Sequence, residues 1–459
     1  KKWNLQIPFN YGISETVVTP EFDPVYDDLK LEDRIDAAET AEDGETIRKQ
    51  AEDYTKRTSI NLIGVRKNRG EEAKENFFDI ENFTFNYSYN ETDHRDFEVA
   101  ELRDQNVNTG FVYNHNFKPA PVAPFAKNDS ILRSDYWKWL KELNFNVLPT
   151  SLSVNANYDR SFNEQRFRSV FEEDADLLDL PALQQRNYLF NWQYALNYSL
   201  TKSLRLQLTG TNNSIVRNYF IDPSNPNGGI NNDLDIWDGF FDFGEPNRHS
   251  QQMQLNYELP FDKIPFLGFI NAQYTYTSNF DWQRGGDALR QALGEEINTV
   301  QNANTHNLTA NLSMQGFYDA IGLKKRDGKI PRPTRAPVRR NPNNKKEDKK
   351  PKKKTSKGFN TLVDVLTMVK RVNVNYSENN GKVLPGYNQS IGFIGTTRPG
   401  LGFVFGSQAD VRFEAAKNGW LVRNPDFNSQ YLENTNKQLA ITATAQLTRP
   451  GGGADTVIS

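Results

Sequence analysis

Residues 188–200 alternate between apolar and polar side chains, and this period of two constrains the fold more than any other feature of the chain. Successive side chains of a β-strand point to opposite faces, so such a segment forms a strand with one apolar and one polar face. The same alternation recurs in six further segments, namely 83–89, 148–158, 204–208, 253–259, 308–314 and 439–447. The sequence therefore predicts an all-β protein.

The polar partners in these segments are Asn, Gln, Thr and Ser rather than Lys and Glu. Soluble sheets usually carry charges on the solvent face, because charge blocks edge-to-edge association. Amides and hydroxyls can instead line a water-filled barrel while the apolar face meets lipid. We therefore predict a transmembrane antiparallel β-barrel. The predicted lipid-facing residues are Tyr188, Phe190, Trp192, Tyr194, Leu196, Leu204, Leu206, Leu208, Leu308 and Leu312. The predicted lumen-facing residues are Asn191, Gln193, Asn197, Ser199, Gln207, Thr209, Gln254, Asn256, Asn307 and Asn311.

The amino-acid composition is compatible with a transmembrane β-barrel. The 459 residues are 37% hydrophobic, and the mean hydropathy of −0.74 argues against a helical membrane protein. Barrel strands need only about 9–11 residues with half of the side chains polar. The chain has no cysteine, which removes disulfides and thiol catalysis. It starts without an initiator Met, and residues 455–458 resemble the opening of another strand, so we take it as an internal fragment.

About thirteen strands are predicted, all belonging to one barrel domain over residues 1–459. They are 3–17, 56–66, 77–90, 107–117, 144–158, 188–200, 204–215, 250–260, 266–280, 302–316, 367–377, 401–413 and 437–447. Outer-membrane barrels keep short turns in the periplasm and long loops outside. Successive connections therefore alternate between the two sides of the membrane. We predict that the outside connections are 19–55, 91–106, 159–187, 216–249 and 281–301, and that the periplasmic ones are 67–76, 118–143 and 317–366.

Three insertions interrupt the strand pattern. Residues 19–55 form a helical loop insertion, with a helix over 29–53 that Gly44 divides into two. Residues 216–249 form a long extracellular loop, whose Asp-rich and aromatic part, 233–245, folds back over the barrel mouth. Residues 317–366 form a Lys/Pro-rich periplasmic loop that we expect to be disordered.

The charge of this third insertion is concentrated in residues 324–357, which hold 16 Lys/Arg and 3 Asp/Glu. No aromatic residues lie between the charges, so we predict no nucleic-acid binding. A solvated linker, a contact with anionic lipid headgroups and a contact with an acidic periplasmic partner remain open.

Residues for catalysis or metal binding do not form a recognisable motif. The four histidines are scattered, no glycine-rich segment leads from a strand into a helix with Lys-Ser/Thr, and the Asp-rich loop lacks the ligand spacing of an EF-hand. We therefore predict no enzyme activity, no cofactor and no metal site.

Several segments resemble the SprA (Sov) family, the outer-membrane translocon of the type IX secretion system, which also supports gliding motility. The resembling residues are Leu384–Tyr387, Arg398–Gly406, Asn418–Leu421, Asn428–Tyr431, Asn144–Pro149, Arg160, Phe162, Trp237, Asp238 and Gly244. Apart from the Lys-rich stretch 324–357, the resemblance runs over the whole chain and matches part of the C-terminal half of a much longer family member.

The resemblance implies a barrel of about thirty-six strands, of which this chain supplies roughly a third. It also implies three protein partners: a PorV-type small barrel, a plug protein and secreted cargo with a C-terminal signal domain. Two alternatives remain open. A TonB-dependent receptor uses similar strands for uptake but carries an N-terminal plug, and a soluble β-rich adhesin or carbohydrate-binding module needs charged strand faces and a closed core.

Overall fold

We describe the fold from a computed structural model, which covers residues 4–70, 74–125, 144–168, 181–219, 229, 231–264, 266–323, 357–392, 394–447 and 456–458. Sixteen strands account for most of this part of the chain. They are β1 (Leu5–Gln6), β2 (Asn10–Val18), β3 (Asp53–Lys67), β4 (Phe83–Arg95), β5 (Val99–Asn116), β6 (Pro121–Val122), β7 (Phe145–Asn146), β8 (Ser151–Phe167), β9 (Leu183–Ser199), β10 (Leu204–Ile215), β11 (Glu245–Leu259), β12 (Ile270–Arg284), β13 (Asn298–Ser313), β14 (Val369–Tyr387), β15 (Leu432–Leu447) and β16 (Thr456–Ile458).

One large antiparallel sheet contains all of these strands except the small β6–β7 pair. Both β1 and β2 pair with β3, so the sheet is thirteen strands wide. Its order follows the chain from β3 to β5 and from β8 to β16, as in an up-and-down meander. The two edge positions, β2 and β16, do not pair with each other among the described strands.

Seven α-helices in the described residues lie in the connections. They are α1 (Leu31–Asp36), α2 (Ala41–Ala51), α3 (Asp287–Leu293), α4 (Met314–Ala320), α5 (Lys357–Leu366), α6 (Leu401–Val404) and α7 (Arg412–Lys417), with 3-10 turns at Ile80–Asn82 and Phe261–Lys263. None of the helices in the described ranges is long and apolar enough to cross a membrane.

The helical insertion after β2 is confirmed, but its predicted division at Gly44 is wrong. The break between α1 and α2 lies at 37–40, where the Thr40 side chain accepts a hydrogen bond from the Asp43 backbone N–H at 3.1 Å and caps α2. Gly44 lies inside α2 and faces Ile35 of α1. Its small size therefore permits close packing of the two helices.

Other predicted segments also differ from the structure, and the predicted loops 91–106, 159–187 and 281–301 are shorter because their strands extend into them. The predicted strand 401–413 is wrong, because this region contains α6 and part of α7. The predicted loop 216–249 is shorter, because β11 already begins at Glu245. The predicted loop 317–366 is helical at both ends, and the disorder prediction for 324–356 lies outside the described residues.

The connections predicted to share one side of a membrane lie at one end of the sheet. Among the described residues, that end carries 19–52, 96–98, 168, 181–182, 216–219, 229, 231–244, 285–297, 388–392 and 394–431, and the other end carries 68–70, 74–82, 117–125, 144–150, 200–203, 260–264, 266–269, 314–323 and 357–368. Two connections at the first end fold back onto one face of the sheet. We call residues 216–219 and 231–244 the first cover, and residues 388–392 and 394–431 the second cover.

Candidate functional site

The two faces of the sheet differ in chemistry over almost its entire width. In antiparallel strands, residues directly opposite each other point to the same face. Asn197 of β9 lies opposite Gln207 of β10, which lies opposite Gln254 of β11. Asn256 lies opposite Thr275, which lies opposite Asn307. All ten residues predicted to face a lumen therefore share one face, which we call the amide face.

The ten residues predicted to face lipid all lie on the opposite face, which we call the apolar face. Leu196 lies opposite Leu208, and Leu308 lies opposite Tyr274 of β12. The strands pair in the register that keeps these ten side chains on one face. A shift of one residue would move every side chain of a strand to the opposite face. Which medium each face contacts stays a prediction.

Hydrogen bonds between side chains connect neighbouring strands across the amide face. Asn213 Nδ2 donates to Asn191 Oδ1 at 2.6 Å, and Asn247 Nδ2 donates to Asn213 Oδ1 at 3.2 Å. Similar pairs join Gln252 to Asn279, Thr275 to Asn256 and Thr305 to Asn379. An amide has two donors and a two-lone-pair acceptor, so each such residue keeps further capacity for water or a passing chain.

The few charges on the amide face are held by neighbouring donors. The Asp159 carboxylate accepts from Asn157 Nδ2 at 2.7 Å and Asn191 Nδ2 at 3.2 Å. The Asp281 carboxylate accepts from Arg248 Nε at 2.9 Å and Ser250 Oγ at 2.6 Å. A polar molecule moving along this face would therefore meet many weak hydrogen-bonding groups and few unpaired charges.

Shallow open depressions lie on the amide face. One, of about 530 Å³, is lined largely by amides and hydroxyls, including Asn155, Gln193 and Thr211. Another, of about 760 Å³, lies toward the opposite end of the strands and includes Asn271, Asn311 and Thr444. Both are too open to enclose a small substrate, so the amide face is an extended polar surface rather than a closed active site.

The apolar face has an exposed part and a covered part. In the exposed part, rows of apolar side chains run across adjacent strands, such as Ala310, Val374 and Ile441, and then Leu308, Tyr376 and Leu439. On β15, Leu439 and Ile441 are 61% and 63% exposed. An exposed apolar surface of this extent is typical of a membrane or protein contact.

Part of the apolar face is buried, which corrects three predictions, and the first cover packs on two of these three residues. Tyr188, Phe190 and Trp192 were predicted to contact lipid, but they are only 2%, 3% and 8% exposed. Tyr188 packs in one core with Ile236 of the cover, and the Phe190 ring lies 4.9 Å from that of Phe243. Side chains enclosed by protein do not contact lipid.

Arg160 fixes the first cover in place. It lies on the apolar face of β8, is 2% exposed, and donates from Nη1 to the carbonyl oxygens of Ile236 and Asp238, both at 2.8 Å. The Gly239 carbonyl accepts from Nη2. The sequence carried one signal for this role, which is an arginine between Tyr158 and Phe162 on an otherwise aromatic strand face.

The second cover is held by side chains of β12 and β13. Asn302 Nδ2 donates to the carbonyl oxygens of Phe403 and Ser407, both at 2.9 Å, and Asn304 Nδ2 donates to that of Gly406 at 2.7 Å. Around these bonds, an apolar core joins sheet residues such as Phe280 and Leu384 to cover residues such as Phe403, Val404 and Val411. Patterning alone did not reveal this role.

Within the described ranges, we find no group of three His, Asp or Glu side chains that could hold a metal ion. Comparison with protein-family models and with curated proteins finds no match to this chain.

Proposed function

We propose that this chain forms part of the wall of a very large outer-membrane β-barrel, with the amide face lining a water-filled conduit and the exposed apolar rows facing lipid. The observation that carries the proposal is the separation of amide and apolar side chains across the sheet in one continuous register. Lipid requires that backbone groups be paired within the sheet, and an antiparallel meander supplies that pairing.

The sheet is proposed as an arc rather than a complete barrel. Its edge strands β2 and β16 leave backbone groups without partners in the described structure, and such edges are unfavourable in hydrocarbon. Thirteen strands would supply roughly a third of a barrel of about thirty-six strands. Tyr257, Tyr274 and Tyr376 lie in one row of the apolar face with Leu308, and membrane barrels carry similar bands of aromatic residues on the lipid-facing side.

The function that we propose for this barrel is the translocation of folded proteins in type IX secretion, with a role in gliding motility. The support is the resemblance to the SprA family together with the chemistry of the amide face. Fixed charge clusters would retain some cargo, whereas water-solvated amides bind each passing surface only weakly. Partners would be a PorV-type small barrel, a plug protein and cargo with C-terminal signal domains.

The resembling segments also form coherent structural units. Leu384, Tyr387, Phe403 and Val404 lie in one core, against which Trp420 packs. Arg160 contacts the backbone of Asp238 in the first cover. Residues far apart in the sequence therefore meet in the two covers, as expected when a family pattern reflects packing.

The experiment that tests translocation is site-specific crosslinking to cargo during secretion. A photoreactive amino acid is placed at Gln193 or Asn256 on the amide face, with Leu206 and Leu308 on the apolar face as matched controls. We expect cargo adducts from the first pair alone, and we expect cargo to accumulate in the periplasm when the gene is deleted. Unchanged secretion after deletion, or equal adducts from both faces, would contradict the proposal.

A further inference from the structure

His249 of β11 is buried on the apolar face, in the part of the strand that the second cover encloses. It is 1% exposed and lies on the same face as its cross-strand neighbours Asn212 and Trp282. The apolar row that contains Leu308 crosses β11 at Tyr257, near the opposite end of the strand. His249 is therefore distant from the amide face and from the exposed apolar rows, and its role does not depend on the proposed translocation function.

A residue of the second cover lies directly against the imidazole. The backbone of Gly395 approaches so closely that a Cβ atom at this position would lie 3.2 Å from His249 Nε2. Gly395 has a φ of +119°, which residues with a side chain rarely adopt. Phe280 of β12 packs on another side of the imidazole, with 6.4 Å between the ring centres. The imidazole is therefore enclosed between the sheet and the second cover.

The enclosed imidazole has no polar partner. Neither Nδ1 nor Nε2 of His249 forms a hydrogen bond with a described residue. A neutral imidazole tolerates such surroundings far better than a charged one, because a buried charge without a partner costs much more free energy than a buried neutral group. His249 is therefore neutral while the second cover is closed over it.

The charged groups of the surrounding elements do not supply a counter-ion for a protonated ring. The Asp281 carboxylate of β12 lies on the amide face, where it accepts from Arg248 Nε at 2.9 Å. Arg284 at the end of β12 pairs with Glu245 at the start of β11. The second cover contributes the positive charge of Arg398, which would repel a second cation. A charged imidazole would therefore be unpaired in the closed position.

The part of the second cover over the imidazole comprises residues 388–392 and 394–398, which we call the latch. Two side chains of the sheet hold the latch through the carbonyl oxygen of Gln389. Trp282 Nε1 donates to this oxygen at 3.0 Å, and Asn298 Nδ2 donates to it at 3.3 Å. Because both donors are side chains, the latch can separate from the sheet while the backbone hydrogen bonds between β12, β13 and β14 stay in place.

We propose that His249 is a pH-sensitive switch that releases the latch in acid. When the latch separates from the sheet, water reaches the imidazole, which then takes up a proton as a solvated histidine does, with a pKa of about 6.5. The charged ring is not compatible with the closed position, so protonation favours the open state. The closed state is therefore most stable above pH 6.5 and loses stability as the pH falls below that value. Opening exposes Phe280 and Trp282 on the apolar face.

The test measures hydrogen–deuterium exchange of the whole chain in detergent at pH 7.5 and at pH 5. Each rate is divided by the intrinsic exchange rate of an unprotected amide at the same pH, so that only the change in protection remains. We expect protection of the latch to fall about thirtyfold at pH 5, because a solvated histidine is almost fully protonated there. Protection of residues 231–243 in the first cover should not change. Equal protection of the latch at both pH values would overturn the proposal.

Matched variants identify the titrating residue. His249→Gln and His249→Phe both remove the proton acceptor, and two replacements are used so that a folding defect in one leaves the other informative. His306→Gln is the control, because His306 also lies on the apolar face but is partly exposed, with its Nδ1 2.6 Å from the Tyr274 hydroxyl. We expect the pH dependence of latch protection to disappear in the variants of His249 and to persist in His306→Gln. Its persistence in the His249 variants, or its loss in the control, would overturn the proposal.

Discussion

Arg160 and Tyr188 lie directly opposite each other on β8 and β9, and the guanidinium carbon of Arg160 is 4.8 Å from the centre of the Tyr188 ring. The guanidinium also lies 5.1 Å from the centre of the Phe240 ring. No carboxylate forms an ion pair with Arg160 in the described structure, so carbonyl dipoles of the first cover and two aromatic rings solvate a buried charge. Burial of the charge costs free energy, and only the hydrogen bonds and ring contacts of these groups offset that cost.

Substitution of Arg160 should release the first cover. Arg160→Lys keeps a charge but loses the planar fork that reaches three carbonyl oxygens, and Arg160→Met also leaves those oxygens without a donor. We expect each change to destabilise the cover by about 2–4 kcal/mol. Hydrogen–deuterium exchange should increase in residues 231–243 and stay unchanged in 401–417 of the second cover. Unchanged exchange in 231–243 would contradict this role.

Asn302 should have the corresponding role in the second cover. Asn302→Asp keeps the size of the side chain but replaces the donor to the Phe403 and Ser407 carbonyl oxygens with an acceptor. We expect a loss of about 1–3 kcal/mol and faster exchange in 401–417. Asn307→Asp on the amide face is the matched control, and it should leave that segment protected. Equal exchange in the two variants would show that Asn302 does not anchor the cover.

A carboxylate in the second cover should titrate at unusually low pH. Hydrogen bonds from the Arg412 guanidinium lower the pKa of Asp410 from 3.8 to about 2. Since the folded pKa is lower than the ordinary value, the pair contributes fully above pH 3.8, and its contribution is lost as the pH falls toward 2. Carbon-13 NMR should show the pKa of Asp410 rising toward 3.8 in Arg412→Gln and remaining near 2 in Arg423→Gln. An Asp410 pKa near 3.8 in the unmodified chain would contradict the account.

The strands were largely predictable because period-two alternation is a local property of the sequence. The exception, 401–413, shows the limit of that signal. Leu401, Phe403 and Phe405 alternate with Gly402 and Val404, yet Phe403 and Val404 are both buried in the core of the second cover. Contacts with β12 and β13 therefore determine the local conformation, and single-segment patterning contains no information about those contacts.

The position of the covers was harder to predict than the faces of the strands. The alternation at 188–200 assigns Tyr188 and Phe190 to the apolar face, and the structure places them there. It does not indicate whether lipid or another segment of the chain covers that face. The aromatic residues of 233–245 predicted a loop that folds back over a barrel mouth, whereas the loop docks on the apolar face of the sheet at Arg160, through backbone carbonyls that have no sequence signature.

The central claim is that the amide face meets water and the exposed apolar face meets lipid. Since the sequence has no cysteine, single cysteines can report on each face without background. Leu206 and Gln207 are adjacent on β10 and point to opposite faces, as Asn307 and Leu308 do on β13. Each pair therefore compares the two faces at nearly the same depth.

The most direct measurement is the labelling of Leu206→Cys, Gln207→Cys, Asn307→Cys and Leu308→Cys in intact outer-membrane vesicles. We predict that a charged, water-soluble thiosulfonate reacts with the cysteines at 207 and 307, and that nitroxide-bearing lipids quench a fluorophore at 206 and 308. Equal reactivity at all four positions, with no quenching by the nitroxide lipids, would contradict the account.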